Sequence, residues 1–137
     1  MDPLSITASV IAIVQLTGTV IGYLNDFKDA PKACKEVKVE VANLYSLLIR
    51  LQCHLEQDDV TSPWYTAMRA LNASGGPLDQ YLQSLQLLEL KVAADGHAHR
   101  FRRALVWTFS KEAVASILGR IERLKTLIGI SLEMDHL

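Results

Sequence analysis

The chain has 137 residues and a formal net charge of −1, and half of its residues are hydrophobic. This length fits one domain with a single core, and the overall charge excludes a nucleic-acid binder of the strongly basic kind. Residues 91–125 nevertheless carry eight basic and three acidic side chains, so a local basic patch stays open. Cys34 and Cys53 show neither C-x-x-C nor zinc spacing, and we expect both to be buried thiols.

The first predicted helix runs from Pro3 to Leu24 and contains no formally charged side chain. Such a helix is about 33 Å long, which matches the hydrocarbon core of a bilayer. It lacks the basic n-region of a secretory signal. Because a surface helix normally carries a charged stripe, we expect other helices to cover this one in a soluble resting state, as the central helix of a bundle. A membrane anchor is the alternative.

Small residues recur four apart along this helix. Gly18 and Gly22 form a G-x-x-x-G pair, and Ala8 and Ala12 repeat the spacing. This spacing lets helix backbones approach closely in a membrane, but it is equally consistent with close packing inside a soluble bundle. Both interpretations stay open at the level of the sequence.

The second predicted helix, from Pro31 to Leu55, has an apolar seam with alternating spacings of three and four: Cys34, Val37, Val41, Leu44, Leu48, Leu51 and Leu55. The first helix offers a matching series: Ile6, Val10, Ile13, Thr17, Val20 and Leu24. The short connection, residues 25–29, predicts that the two helices pack as an antiparallel pair.

Each later helix is also marked by its ends. A short third helix is predicted from Pro63 to Asn72, and a fourth from Pro77 to Ala94, which Asp95-Gly96 should end. A helix is predicted through Trp107, followed either by a kink or by a fresh start of the last helix with Ser110 as its N-cap. No alternating strand pattern appears. The predicted fold is all-α: an antiparallel four-helix bundle with an additional short helix.

The residue pattern offers no catalytic constellation, so we predict neither an enzyme nor a bound cofactor. His97 and His99, with His54 or Cys53, have a metal-binding interpretation, but solvated histidines explain them as well. We therefore predict no metal site.

The basic stretch after residue 96 suggests contact with a membrane surface. Arg100, Arg102, Arg103 and Lys111 alternate with aromatic residues. Each basic side chain near an anionic lipid surface contributes about 1 kcal/mol. We predict these four as candidates for binding lipid head groups. The alternative is a solvated face whose aromatic residues belong to the core.

The opening MDPLSITASVIAIVQL, with the later D-A-P segment and heptad helix, resembles the N-terminal HeLo-like domain of fungal NLR-type (STAND) receptors. The likeness is most specific over residues 2–45. The layout of the rest is also similar, including the R-x-x-x-x-W that begins at Arg102. Related domains include the fungal HeLo domain, the helical bundle of a necroptosis pseudokinase and the helical domains of plant immune receptors.

The resemblance implies a programmed cell death effector. In such proteins a receptor or amyloid signal oligomerises the domain, and the N-terminal helix then permeabilises the plasma membrane. The implied partners are anionic membrane lipids, further copies of the chain and an upstream NLR or amyloid signalling protein, with no nucleic acid. The domain would be cytoplasmic at rest, and a receptor region or amyloid motif would follow residue 137.

Carried onto this sequence, the membrane-insertion helix would present Leu4, Ile6, Val10, Ile11, Ile13, Val14, Leu16, Val20, Ile21 and Leu24, with Gly18 and Gly22 for helix packing. No acidic residue lies in that helix beyond Asp2, so the helix alone supplies no charged pore lining. A homotypic signalling or adaptor module that never meets lipid is the alternative function.

Overall fold

The computed structural model describes residues 3–27, 31–57, 63–98 and 109–134, and these form five helices. The helices are α1 (Pro3–Asn25), α2 (Lys32–Gln57), α3 (Pro63–Leu71), α4 (Pro77–Ala98) and α5 (Lys111–Met134). The described ranges contain no strand. The prediction of an all-α fold is confirmed.

Prolines and a serine cap set the helix starts as the sequence predicts. Pro3, Pro63 and Pro77 are the first residues of their helices, where a missing N–H is harmless. Pro31 directly precedes α2, and its carbonyl accepts a hydrogen bond from the Lys35 N–H at 3.2 Å. The Ser110 hydroxyl accepts from the Ala113 N–H at 3.1 Å, so of the two alternatives the fresh start with Ser110 as N-cap is confirmed.

Two glycines, Gly75 and Gly96, differ in their effect on the helices beside them. Gly75 lies at a positive φ of 72° in the turn between α3 and α4, and its N–H donates to the Asp79 carboxylate. By contrast, α4 continues through Asp95-Gly96 to Ala98, so the predicted end at Ala94 is wrong. One glycine in a helix costs only about 1 kcal/mol, and no proline follows it.

The four long helices pack so that α1 and α5 each lie against both α2 and α4, while α3 packs against α1 and α5. Helices α4 and α5 run antiparallel, because Arg120 meets Gln80 and Lys91 meets the ring of Phe109.

Helices α2 and α5 run parallel. Glu36 shares a groove with Leu118, and farther along both helices Glu40 pairs with Lys125. The predicted antiparallel bundle is therefore only partly correct: consecutive long helices alternate in direction, but two laterally packed pairs, α2 with α5 and α1 with α4, are parallel.

The two predicted apolar series are confirmed as the centre of the core. All seven seam residues of α2 are buried, and so are all six residues of the matching series on α1. Thr17 is the polar member of these series. Because both helices bury the face that the heptad spacing selects, their rotation about their own axes follows from the sequence.

The prediction that α1 is the central helix is wrong. Its outward side is exposed over the length of the helix, at Ala8, Ala12, Gln15, Thr19 and Gly22. The large aliphatic side chains of α1 are concentrated on the inward side, so only that side needs cover. Helix α1 is one wall of the bundle.

The two cysteines differ in their exposure. Cys34 is buried as predicted, and its burial raises the pKa of the thiol, an effect that nearby Lys38 partly opposes. Cys53 is exposed, and the prediction for it is wrong. Its position between Leu51 and Leu55 places it off the buried seam.

The core assignment is tested by one substitution at two sites. Leu48 is 0 % exposed on α2 and Leu90 is 70 % exposed on α4. Leu48→Ala leaves a cavity and should lower the free energy of unfolding by about 2–5 kcal/mol. Leu90→Ala should change it by no more than about 0.5 kcal/mol. Urea unfolding followed by circular dichroism measures both, and equal losses would contradict the packing described here.

Candidate functional site: the N-terminal helix

The segment Ile6–Asn25 of α1 is long and apolar enough to cross a membrane, and 33% of its apolar window is buried. A core helix of a soluble protein meets the same criterion of length and composition. The contacts that α1 makes on each side are therefore what characterises it.

The inward side of α1 holds the larger side chains predicted for membrane insertion. Five of these are buried in the core: Ile6, Val10, Ile13, Val20 and Leu24. Ile11, Val14, Leu16 and Ile21 are half-buried along the edges. Leu4 lies in the helix, but its side chain is outside the described residues. Membrane contact by the buried residues would require α1 to leave the bundle.

The outward side of α1 is a stripe that carries no charge. Its residues, spaced by four and three, are Ala8, Ala12, Gln15, Thr19 and Gly22, so the stripe is about 21 Å long. Most helices at a protein surface place charged side chains there. The four-residue spacing of small residues was evident from the sequence, but it was not predicted that Ala8, Ala12 and Gly22 lie on the exposed side. The signal was available, because the stripe lies opposite the inward apolar series.

The two glycines of the G-x-x-x-G pair have different surroundings. A Cβ atom on Gly18 would lie 3.3 Å from the Tyr45 hydroxyl oxygen of α2, whereas a Cβ on Gly22 would meet nothing within 4 Å. Gly18 therefore serves close packing of α1 against α2 within the bundle. Gly22 is part of the open outward stripe.

A buried pair of hydroxyls joins α1 to α4. The Thr17 hydroxyl donates to the Ile13 carbonyl at 2.7 Å and lies 2.9 Å from the Tyr81 hydroxyl. Because the single hydroxyl proton of Thr17 is used by Ile13, Tyr81 is the donor in the second hydrogen bond. Both residues are 0 % exposed. Burial raises the pKa of Tyr81 well above its usual range, so it remains a neutral donor.

Helix α5 is held by polar contacts of a different kind. Lys125 pairs with Glu40 of α2 at 2.8 Å, and this hydrogen bond raises the pKa of the lysine. Arg120 donates to the Gln80 carbonyl and the Ser84 hydroxyl of α4, each at 3.2 Å. The Trp64 indole of α3 donates to the Ser131 carbonyl at 2.7 Å. Helix α1 has no charged side chain and so forms no ion pair.

Of the four residues predicted to bind lipid head groups, only one lies within the described residues. Lys111 is the exposed first residue of α5. Arg100, Arg102 and Arg103 lie outside the described residues. Within the described residues no group of three or more potential metal ligands is found. His54 instead lies 5.9 Å from the ring of Trp64, measured between ring centroids.

Comparison of the chain with protein-family models, with curated proteins and with solved structures finds no match. The site is therefore defined by its own geometry. The uncharged helix α1 is held against its neighbours by apolar contacts and by one pair of hydroxyls, whereas the other helices are also joined to one another by polar contacts.

The different surroundings of the two glycines predict different effects on stability. Gly18→Leu must displace Tyr45 and should lower the free energy of unfolding by about 1 kcal/mol. Gly22→Leu enters open space and replaces a poor helix former, so it should be neutral or slightly stabilising. Chemical denaturation of the two variants measures the difference. Equal effects would show that Gly18 is not in close contact with α2.

Proposed function

We propose that this chain is a membrane-targeting execution domain for programmed cell death. In the resting state the bundle holds α1 against α2 and α4. On activation, self-association of the domain is coupled to transfer of α1 into an anionic membrane, which it permeabilises. Neither catalysis nor a cofactor is part of this mechanism.

The observation that carries the proposal is the absence of charge around the whole of α1. The outward stripe is uncharged although it faces solvent, and the inward side is apolar because it faces the core. A helix with these two sides can enter a bilayer without burying a charge, which is the main barrier to insertion. Its length also matches the hydrocarbon core.

Release of α1 must be coupled to a compensating contact. Each large aliphatic side chain that leaves the core loses about 1.5–3 kcal/mol of burial, and the inward side carries five of them. In water, therefore, the apolar burial that would be lost keeps α1 in the bundle. Lipid can cover the departed helix, and self-association can cover the surface that it leaves on α2 and α4.

The remaining helices have their own directional contacts. Lys125–Glu40, Arg120–Gln80 and Trp64–Ser131 join α5 to α2, α4 and α3 without involving α1. These contacts favour departure of α1 over general unfolding of the bundle.

The resemblance of residues 2–45 to HeLo-like domains supports the same proposal and adds the biological setting. It suggests a fungal immunity or incompatibility receptor with an NLR or amyloid partner upstream. It also suggests a move from the cytoplasm to the plasma membrane on activation.

One exposed substitution tests the membrane step without disturbing the core. Gln15 lies near the middle of α1 on the outward stripe, so Gln15→Asp should leave the bundle folded. A charge at the centre of an inserted helix costs about 2.5–3.5 kcal/mol, and we expect roughly a hundredfold less leakage for that reason. The measurement is dye release from phosphatidylcholine–phosphatidylserine vesicles, with the chain oligomerised through a C-terminal fusion partner.

The matched control is Ser116→Asp, which adds the same charge at an exposed position of α5. Leakage should be unchanged by it. If the oligomerised wild-type chain leaves vesicles sealed, or if Gln15→Asp leaks as well as wild type, insertion of α1 is wrong. Sealed vesicles with intact self-association would instead favour the adaptor module.

The head-group candidates require a separate test. Reversal of Arg100, Arg102 and Arg103 to Glu should weaken association with phosphatidylserine vesicles roughly a hundredfold, since each basic residue contributes about 1 kcal/mol. Self-association measured by sedimentation should change little. Unchanged vesicle association would exclude these residues from the lipid contact.

A further inference from the structure

Thr17 is the only polar residue in the inward series of α1, whose other members are all aliphatic: Ile6, Val10, Ile13, Val20 and Leu24. It lies opposite Tyr81, the only tyrosine on α4. Both side chains are fully buried. A buried hydroxyl donor that loses its acceptor destabilises a fold by the full desolvation penalty.

The hydrogen bonds form a chain with one direction. Tyr81 donates to Thr17, and Thr17 donates to the carbonyl of Ile13, one turn earlier on the same helix. Thr17 therefore keeps a partner for its proton whether or not Tyr81 is present. The Tyr81 donor, in contrast, depends on the hydroxyl that α1 brings to it.

This dependence selects one position of α1 along the bundle. Apolar burial has little direction, and a slide of α1 by one turn would keep its aliphatic series on the inward side. Such a slide would place Ile13 or Val20 opposite Tyr81 and leave its hydroxyl without an acceptor. A single buried polar residue fixes register in this way in coiled coils.

We propose that the Thr17–Tyr81 pair is a register lock that holds α1 in its resting position and opens when α1 leaves. That the pair fixes the position of α1 concerns the bundle alone. That opening the pair exposes a membrane-active helix rests on the proposed function.

The direction of the chain predicts unequal effects for two nearly isosteric substitutions. Thr17→Val leaves the Tyr81 donor buried without an acceptor, whereas Tyr81→Phe removes the donor and leaves the Thr17–Ile13 bond intact. Thr17→Val should therefore open α1 more. The double variant replaces both partners by apolar groups and should be closer to wild type than Thr17→Val is.

The experiment is amide hydrogen exchange of the full chain, with α1 compared with α5. We expect exchange in α1 to become at least roughly tenfold faster in Thr17→Val. The acceleration should be smaller in Tyr81→Phe, and the double variant should exchange more slowly than Thr17→Val does. Exchange in α5 should change much less than in α1. Thr17→Ser, which restores the hydroxyl, should return α1 exchange toward the wild-type rate.

The chain offers a matched control on the same helix. The Thr19 hydroxyl is exposed and donates to the Gln15 carbonyl at 3.1 Å, so Thr19→Val removes the same local bond without touching Tyr81. It should leave α1 exchange near the wild-type rate. Equal acceleration by Thr17→Val and Thr19→Val would overturn the lock, and so would a double variant that opens α1 more than Thr17→Val does.

Vesicle association of the same variants separates the lock from the proposed function. The probe is a phosphatidylcholine–phosphatidylserine vesicle without any added oligomerising partner. Faster α1 exchange with increased vesicle association supports both halves of the proposal. Faster exchange with no association supports the register lock but overturns its role in exposing a membrane-active helix. Normal exchange in Thr17→Val, with leakage by the oligomerised wild type, overturns the lock and leaves the function standing.

Discussion

The absence of charge in α1 is the constraint on which the rest of the bundle depends. Without charged side chains the helix cannot form ion pairs with its neighbours, so its attachment relies mainly on apolar burial. Apolar burial is strong but has little direction. The hydroxyl pair of Thr17 and Tyr81 supplies direction at one point, and Gly18 allows α1 to approach α2 closely at another.

Helix α5 is attached in the opposite way. An ion pair, an arginine and an indole connect it to three different helices at fixed points. In this bundle α1 is held mainly by burial of apolar surface, whereas the other helices are also joined by polar contacts. If α1 leaves the bundle, as proposed above, these polar contacts of α5 stay paired.

The sequence predicted those features that depend on the spacing of residues along a single helix. Heptad spacing identified the buried sides of α1 and α2, and prolines with Ser110 identified where helices begin. It did not predict that α2 and α5 run parallel, because an apolar seam shows which side is buried but not which helix covers it. The partner of Thr17 lies 64 residues away, and no local pattern points to it. The different roles of Gly18 and Gly22 likewise depend on Tyr45, which the spacing of glycines does not reveal.

The outward stripe of α1 is not required by the fold, because exposed helix positions accept lysine or glutamate at little cost. Bundle stability alone therefore does not select an uncharged stripe. A docking surface for another protein would explain an uncharged centre, but such surfaces normally have a polar and often charged rim. On α1 itself the edges of the stripe carry no charge, although Thr7, Ser9 and Tyr23 are polar there and Asp79 of α4 lines the groove beside Ser9 and Ala12. Membrane insertion is proposed above because a bilayer excludes charge from every side of an inserted helix, and α1 carries no charge on any side.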